Sequence, residues 1–227
     1  MGNVLNNIEN KKVNFTYKNL FMVIFSVLGI MFLEAMFVAL AAGIYTEVYY
    51  VLIIDAILIM IFIFLYKPVR NYISYIWDLS VLKKPKTCVY LLIGFLVIAL
   101  SQHVILYLLG FESTEQQRDQ LGVTTLKGDF FQCALYILSV AIITPIKEEV
   151  LYRGILYRFF EGKYNFIIGM LISSGVFGLV HGGFPITASI AGMVFAILYK
   201  KTQSIFPSMV LHILWNFRIC VLTILSL

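Results

Sequence analysis

Pro145-Ile146-Lys147-Glu148-Glu149-Val150-Leu151-Tyr152-Arg153-Gly154 sets two adjacent carboxylates, a lysine and an arginine inside a run that is otherwise apolar from Phe130 to Phe160. Ionisable groups at membrane depth are costly, so they face a bundle interior or a wet cavity and are paired there. A stretch of this kind requires neighbouring helices to enclose it, which predicts an all-α polytopic transmembrane bundle.

The flanking chain agrees. Of 227 residues, 61% are hydrophobic and 13% charged, too few polar groups to coat a soluble globule. A span needs roughly 20 apolar residues, and the apolar runs read as about seven spans, within a range of six to eight. The divisions are a cytoplasmic N-terminal segment at 1–19, N-terminal transmembrane helices and loops at 20–129, and a helical core carrying the charged cluster at 130–227, all one integral membrane domain. Polar, basic residues open the chain with no small-residue cleavage site after a short apolar core, so the first span is expected to serve as its own insertion signal.

Basic residues alternate along the connections. Lys11, Lys12 and Lys18 precede the first span, none follows it, and Lys67, Arg70, Lys83, Lys84 and Lys86 follow the second. The loop at 110–129 is mildly acidic, Arg153, Arg158 and Lys163 lead to the next turn, and Lys200-Lys201 closes a later span. By the positive-inside rule the N-terminus is cytoplasmic. The net charge of +5 is therefore a topology signal, and no nucleic-acid site is seen. Aromatic residues interleaved with the bases at 67–86 predict a short interfacial helix. Cys88, Cys133 and Cys220 form no CxxC pair and read as core packing.

Depth inside the membrane can be counted from the turn at Lys163. Glu148 lies fifteen positions before it and His181 eighteen after it, so at about 1.5 Å per residue the two reach similar depths, provided that Pro145 kinks its helix without ending it. His212 and Asn216 share a face of the last span one turn apart. A buried carboxylate and an imidazole suit activation of water, and a second imidazole with an amide can donate hydrogen bonds to an oxyanion. Glu149 and Arg153, at i and i+4, can neutralise one another, and Phe177 is a packing residue one turn before His181.

Glu148-Glu149-x-x-x-Arg153, Phe177-x-x-x-His181 and His212-x-x-x-Asn216, in that order on successive apolar helices, resemble the three-motif signature of the CPBP intramembrane protease family, which includes type II CAAX prenyl endopeptidases and bacterial Abi proteins. The resemblance covers roughly Phe130 to the C-terminus. It implies that Glu148 and His181 activate water, that His212 and Asn216 stabilise the oxyanion, and that Glu149, Arg153 and Phe177 support them. The implied activity is endopeptidase cleavage of a membrane-associated peptide or protein in a bacterial plasma membrane. No cofactor is required. A zinc ion on Glu148, His181 and His212 is the alternative, less favoured because no HExxH helix is present.

A non-catalytic bacteriocin-immunity or scaffold protein of the same family is the second hypothesis. A small transporter using Glu34, Asp55 and His103 is the third, opposed by the lack of an inverted repeat. Glu34 and Asp55 are expected to face a common cavity, His103 to be a hydrogen-bonded core residue, and Arg218 has no assigned role.

Overall fold

The computed structural model describes residues 15–40, 47–120, 126 and 129–225. Most of the N-terminal segment, and part of the loop before Phe130, lie outside them. Among the described residues there are nine helices and no strands: α1 Tyr17–Leu40, α2 Val48–Leu65, α3 Lys67–Tyr72, α4 Pro85–Leu108, α5 Thr114–Gln120, α6 Phe130–Lys163, α7 Phe166–Val180, α8 Pro185–Thr202 and α9 Phe206–Ile224. By length and composition five of these, α1, α2, α4, α6 and α9, can cross a membrane, and α7 is a shorter apolar helix. The all-α membrane bundle is as expected. The expected interfacial segment forms α3 and a 3-10 turn, Leu79–Lys83, started by Asp78, whose carboxylate accepts the Ser80 N–H and is held below its ordinary pKa by the Ser80 hydroxyl first and by that N–H second.

Lipid contact explains the surface. Large apolar side chains lie exposed along α1, α2 and α4, an arrangement that water would penalise and hydrocarbon does not. The core residues form three groups, around Ile59 and Val150, around Phe195 and Trp215, and around Tyr136 and Cys220. His103 departs from expectation: it lies on the exposed face of α4, its ring 5.2 Å from that of Tyr107. Cys88 is likewise exposed, whereas Cys220 is buried.

α6 carries the polar cluster. Asp129 caps it by accepting the N–H groups of Phe131 and Gln132 at 3.1 and 3.2 Å, and it then runs unbroken through Pro145 to Lys163. It accommodates the proline by widening to π-helical turns over Ile137–Ile143, and it widens again over Val150–Tyr157, a distortion common at functional sites. Near the far end of α6, Arg158 donates to the Tyr72 carbonyl at 2.8 Å with its guanidinium over the rings of Tyr72 and Tyr75. Lys200 pairs with Glu161 at 2.6 Å, and Ser204 bonds the Asp78 carbonyl. The basic connections thus gather at one end of the bundle.

α7 and α8 approach closely because their contact face is small. Ser174 meets Gly192, and a Cβ on Gly178 would lie 2.5 Å from the Pro185 carbonyl oxygen and 1.9 Å from Ser189 Oγ. At the mouth between them, the buried Glu112 accepts the backbone N–H groups of Ile186 and Thr187 and the Thr187 hydroxyl, capping α8 from the α4–α5 loop. Gly178→Ala is expected to cost about 1–3 kcal/mol through overpacking against backbone, read as a lower unfolding midpoint in detergent; an unchanged midpoint would show that the two helices separate freely.

Candidate active site

Glu149 sits at the back of the polar cluster with no solvent exposure. Its Oε1 accepts from Arg153 Nη1 at 2.9 Å and lies 3.0 Å from His212 Nδ1. Arg153, equally buried, also donates to the Gly192 carbonyl at 3.1 Å, and its guanidinium lies 4.7 and 4.9 Å from the ring centres of Phe177 and Phe195. The i, i+4 pair is therefore one edge of a network joining α6, α8 and α9. His212 stacks on Phe195, centroids 4.6 Å apart at 23°, and meets the edge of Phe177.

Glu148 points the other way, into a cavity of about 560 Å³. His181, His212 and Asn216 line the same space, as do Glu34, Asp55 and Lys147. The hairpin count thus brings Glu148 and His181 to one chamber. The Glu148 Oε2 atom is buried without a hydrogen-bond partner, 3.7 Å from His212 Nε2, a gap too long for a direct bond. His181 Nδ1 is 2.7 Å from the Phe177 carbonyl oxygen. A carbonyl only accepts, so Nδ1 carries the hydrogen and Nε2 of the neutral ring is left as an acceptor. The same logic puts a hydrogen on His212 Nδ1, facing the Glu149 carboxylate.

Asn216 has a role that its spacing does not reveal. Thr144 N–H bonds to the Ser139 carbonyl, five residues back, and Pro145 has no N–H. The Val140 carbonyl is thereby deprived of both donors a helix could offer, and Asn216 Nδ2 fills the vacancy at 2.9 Å. Another carbonyl of the widened helix, Tyr152, accepts from Ser173 at 2.9 Å. Arg218 lies outside this network, its guanidinium 4.8 Å from the Trp215 ring.

Sequence reading missed Phe195, the Gly192 carbonyl and the partner of Lys147. Phe195 looks like any other apolar residue of α8. Lys147 pairs with Asp55 of α2 inside the bundle, and the only hint was that both are ionisable groups in apolar runs. Among the described residues, no group of three or more His, Cys, Asp and Glu side chains is placed to hold a metal ion. Glu148, His181 and His212 do not form such a group.

Residues 130–218 match the family described as type II CAAX prenyl endopeptidase Rce1-like. The matched stretch begins where α6 begins and contains all three motifs. The chain is also 34% identical over 84 residues to the "Putative membrane peptidase YdiL" of Bacillus subtilis (strain 168), covering 36% of this chain and 34% of that protein. It is 26% identical over 158 residues to the "Membrane-embedded CAAX protease MroQ" of Staphylococcus aureus (strain USA300), covering 63% and 62% of the two. It therefore spans about a third and about three fifths of these curated relatives. No solved structure matches the chain.

Removing Arg153 would strand a buried Glu149 carboxylate. Arg153→Met is expected to cost about 3–5 kcal/mol, and Asn216→Ala about 1–3 kcal/mol through the orphaned Val140 carbonyl. Thermal unfolding in detergent measures both; equal, small shifts would mean that neither network is closed.

Proposed function

We propose that this protein is an intramembrane endopeptidase that hydrolyses a peptide bond of a membrane-associated peptide or protein with water activated by Glu148. The observation that carries this reading is the unpartnered Glu148 oxygen on the cavity wall, facing His212 across 3.7 Å in the company of His181. A catalytic base needs a free acceptor beside space for water, and the Rce1-like match and the two membrane peptidase relatives support the assignment.

The steps follow from the donors and acceptors present. Glu148 takes one proton as the water oxygen bonds to the scissile carbonyl carbon. His181, its Nδ1–H fixed on the Phe177 carbonyl, offers Nε2 to receive and pass on a proton. The negative charge on the former carbonyl oxygen falls near His212 Nε2 and the second hydrogen of the Asn216 amide, the first being held by Val140. A His212 ring protonated on both nitrogens donates to Glu149 through Nδ1 and to the oxyanion through Nε2. Collapse breaks the C–N bond, and the proton from water leaves on the amine. With the N-terminus cytoplasmic, the basic end of the bundle faces the cytoplasm of a bacterial cell.

The test is cleavage of a membrane-anchored peptide in proteoliposomes. Glu148→Gln and His181→Ala are each expected to lower kcat/KM by about 10²–10⁴-fold while the purified proteins keep the wild-type unfolding midpoint. Undiminished turnover in both folded variants would refute the assignment.

A further inference from the structure

How Glu148 is aimed can be read from the distortion of its helix. The stretch Thr144–Glu149 is regular α-helix, but only six residues long, and π-helical turns bound it on both sides. Such turns alter the angular advance per residue, so the hydrogen-bond ladder at either end does not by itself dictate which way the six residues face. Side chains must. At about 100° per residue, Lys147 and Glu149 point about 200° apart, with Glu148 between them.

Both flanks are tied by buried ions. On one side Glu149 holds Arg153 and His212, and through them α8 and α9. On the other, Lys147 donates to Asp55 of α2, with side chains only 10% and 11% exposed. Glu34 of α1 lines the same cavity wall. No other charged side chain of Thr144–Glu149 remains except Glu148, which looks into the cavity.

We infer that the Lys147–Asp55 ion pair is a positioning element for the peptidase, setting the rotation of the six-residue segment so that the Glu148 carboxylate stays opposite His212 Nε2. It rests on the peptidase reading above. The two tethers act as opposed guy-ropes: releasing the Asp55 side lets the segment turn toward α9 and moves the carboxylate off its line. Lys147 is assigned the positioning role because its ammonium is engaged by Asp55.

Substituting one partner alone would leave a buried, unpaired charge. The informative variants are therefore the apolar double Lys147→Met/Asp55→Leu and the exchanged pair Lys147→Asp/Asp55→Lys, assayed in proteoliposomes on the membrane-anchored peptide beside wild type and Glu148→Gln. The apolar double is expected to keep its fold and KM but lose kcat by on the order of tenfold to a hundredfold, the scale set by a misplacement near 1 Å. The exchanged pair is expected to recover kcat to within about threefold of wild type.

Wild-type kcat in the folded apolar double, or a folded exchanged pair as slow as that double, would overturn the positioning role. Should neither double fold, Asp55→Asn decides: reduced kcat at unchanged KM supports the role, and wild-type kcat overturns it. If Glu148→Gln itself cleaves like wild type, the peptidase reading fails; if it is inactive while the ion-pair variants are fully active, only the positioning role fails.

Discussion

A carboxylate shut off from solvent cannot stay charged alone, and the constraint that organises this bundle is the pairing of Glu149. Two donors, Arg153 on its own helix and His212 on α9, converge on the same oxygen. The desolvation of such a group is repaid only by close partners with good geometry. Each partner is then fixed in turn: Arg153 by the Gly192 carbonyl and two aromatic faces, His212 by the ring of Phe195. Four helices, α6 to α9, must meet at one point for this to close, and α7 and α8 come together there along their small-residue face.

Glu148 is the residue freed by this arrangement. Because Glu149 absorbs the neighbouring cation and imidazole, the adjacent carboxylate is left with an unused acceptor over a cavity. Two carboxylates one position apart thus take opposite characters, one locked and one available. Their difference comes from direction around the helix, not from chemical identity, and it depends on the irregular turns that surround Thr144–Glu149.

Much of this could be read from residue order alone. The hairpin turn near Lys163, the continuation of α6 through Pro145, and the shared chamber of Glu148 and His181 all follow from apolar run lengths and a fixed rise per residue. The i, i+4 relation of Glu149 and Arg153 follows from helical periodicity. Other features have no local mark. Pro145 announces one missing N–H but not the wide turns that accompany it, so the bond from Asn216 to Val140 was invisible. Glu112 caps a helix 74 residues away, and Phe195 is distinguishable from its apolar neighbours only once His212 lies on it. His103 shows the converse: an imidazole in an apolar run suggests burial when lipid, like a protein core, surrounds it with hydrocarbon.

The widened stretch Ile137–Ile143 also bears on how such a chain can tolerate changes of length. Each of its hydrogen-bonded rings encloses one more residue than the ordinary helical ring, so it behaves as a stored insertion. Deleting one residue between Ile137 and Ser139 would return the helix to regular winding and bring the Thr144 N–H onto the Val140 carbonyl, making the amide of Asn216 redundant as its partner. The lost residue and the tighter winding offset one another, so the first half of α6 keeps nearly the same face toward α2 and α9. A single-codon loss in this segment is thus absorbed within the helix, with the polar cluster left intact.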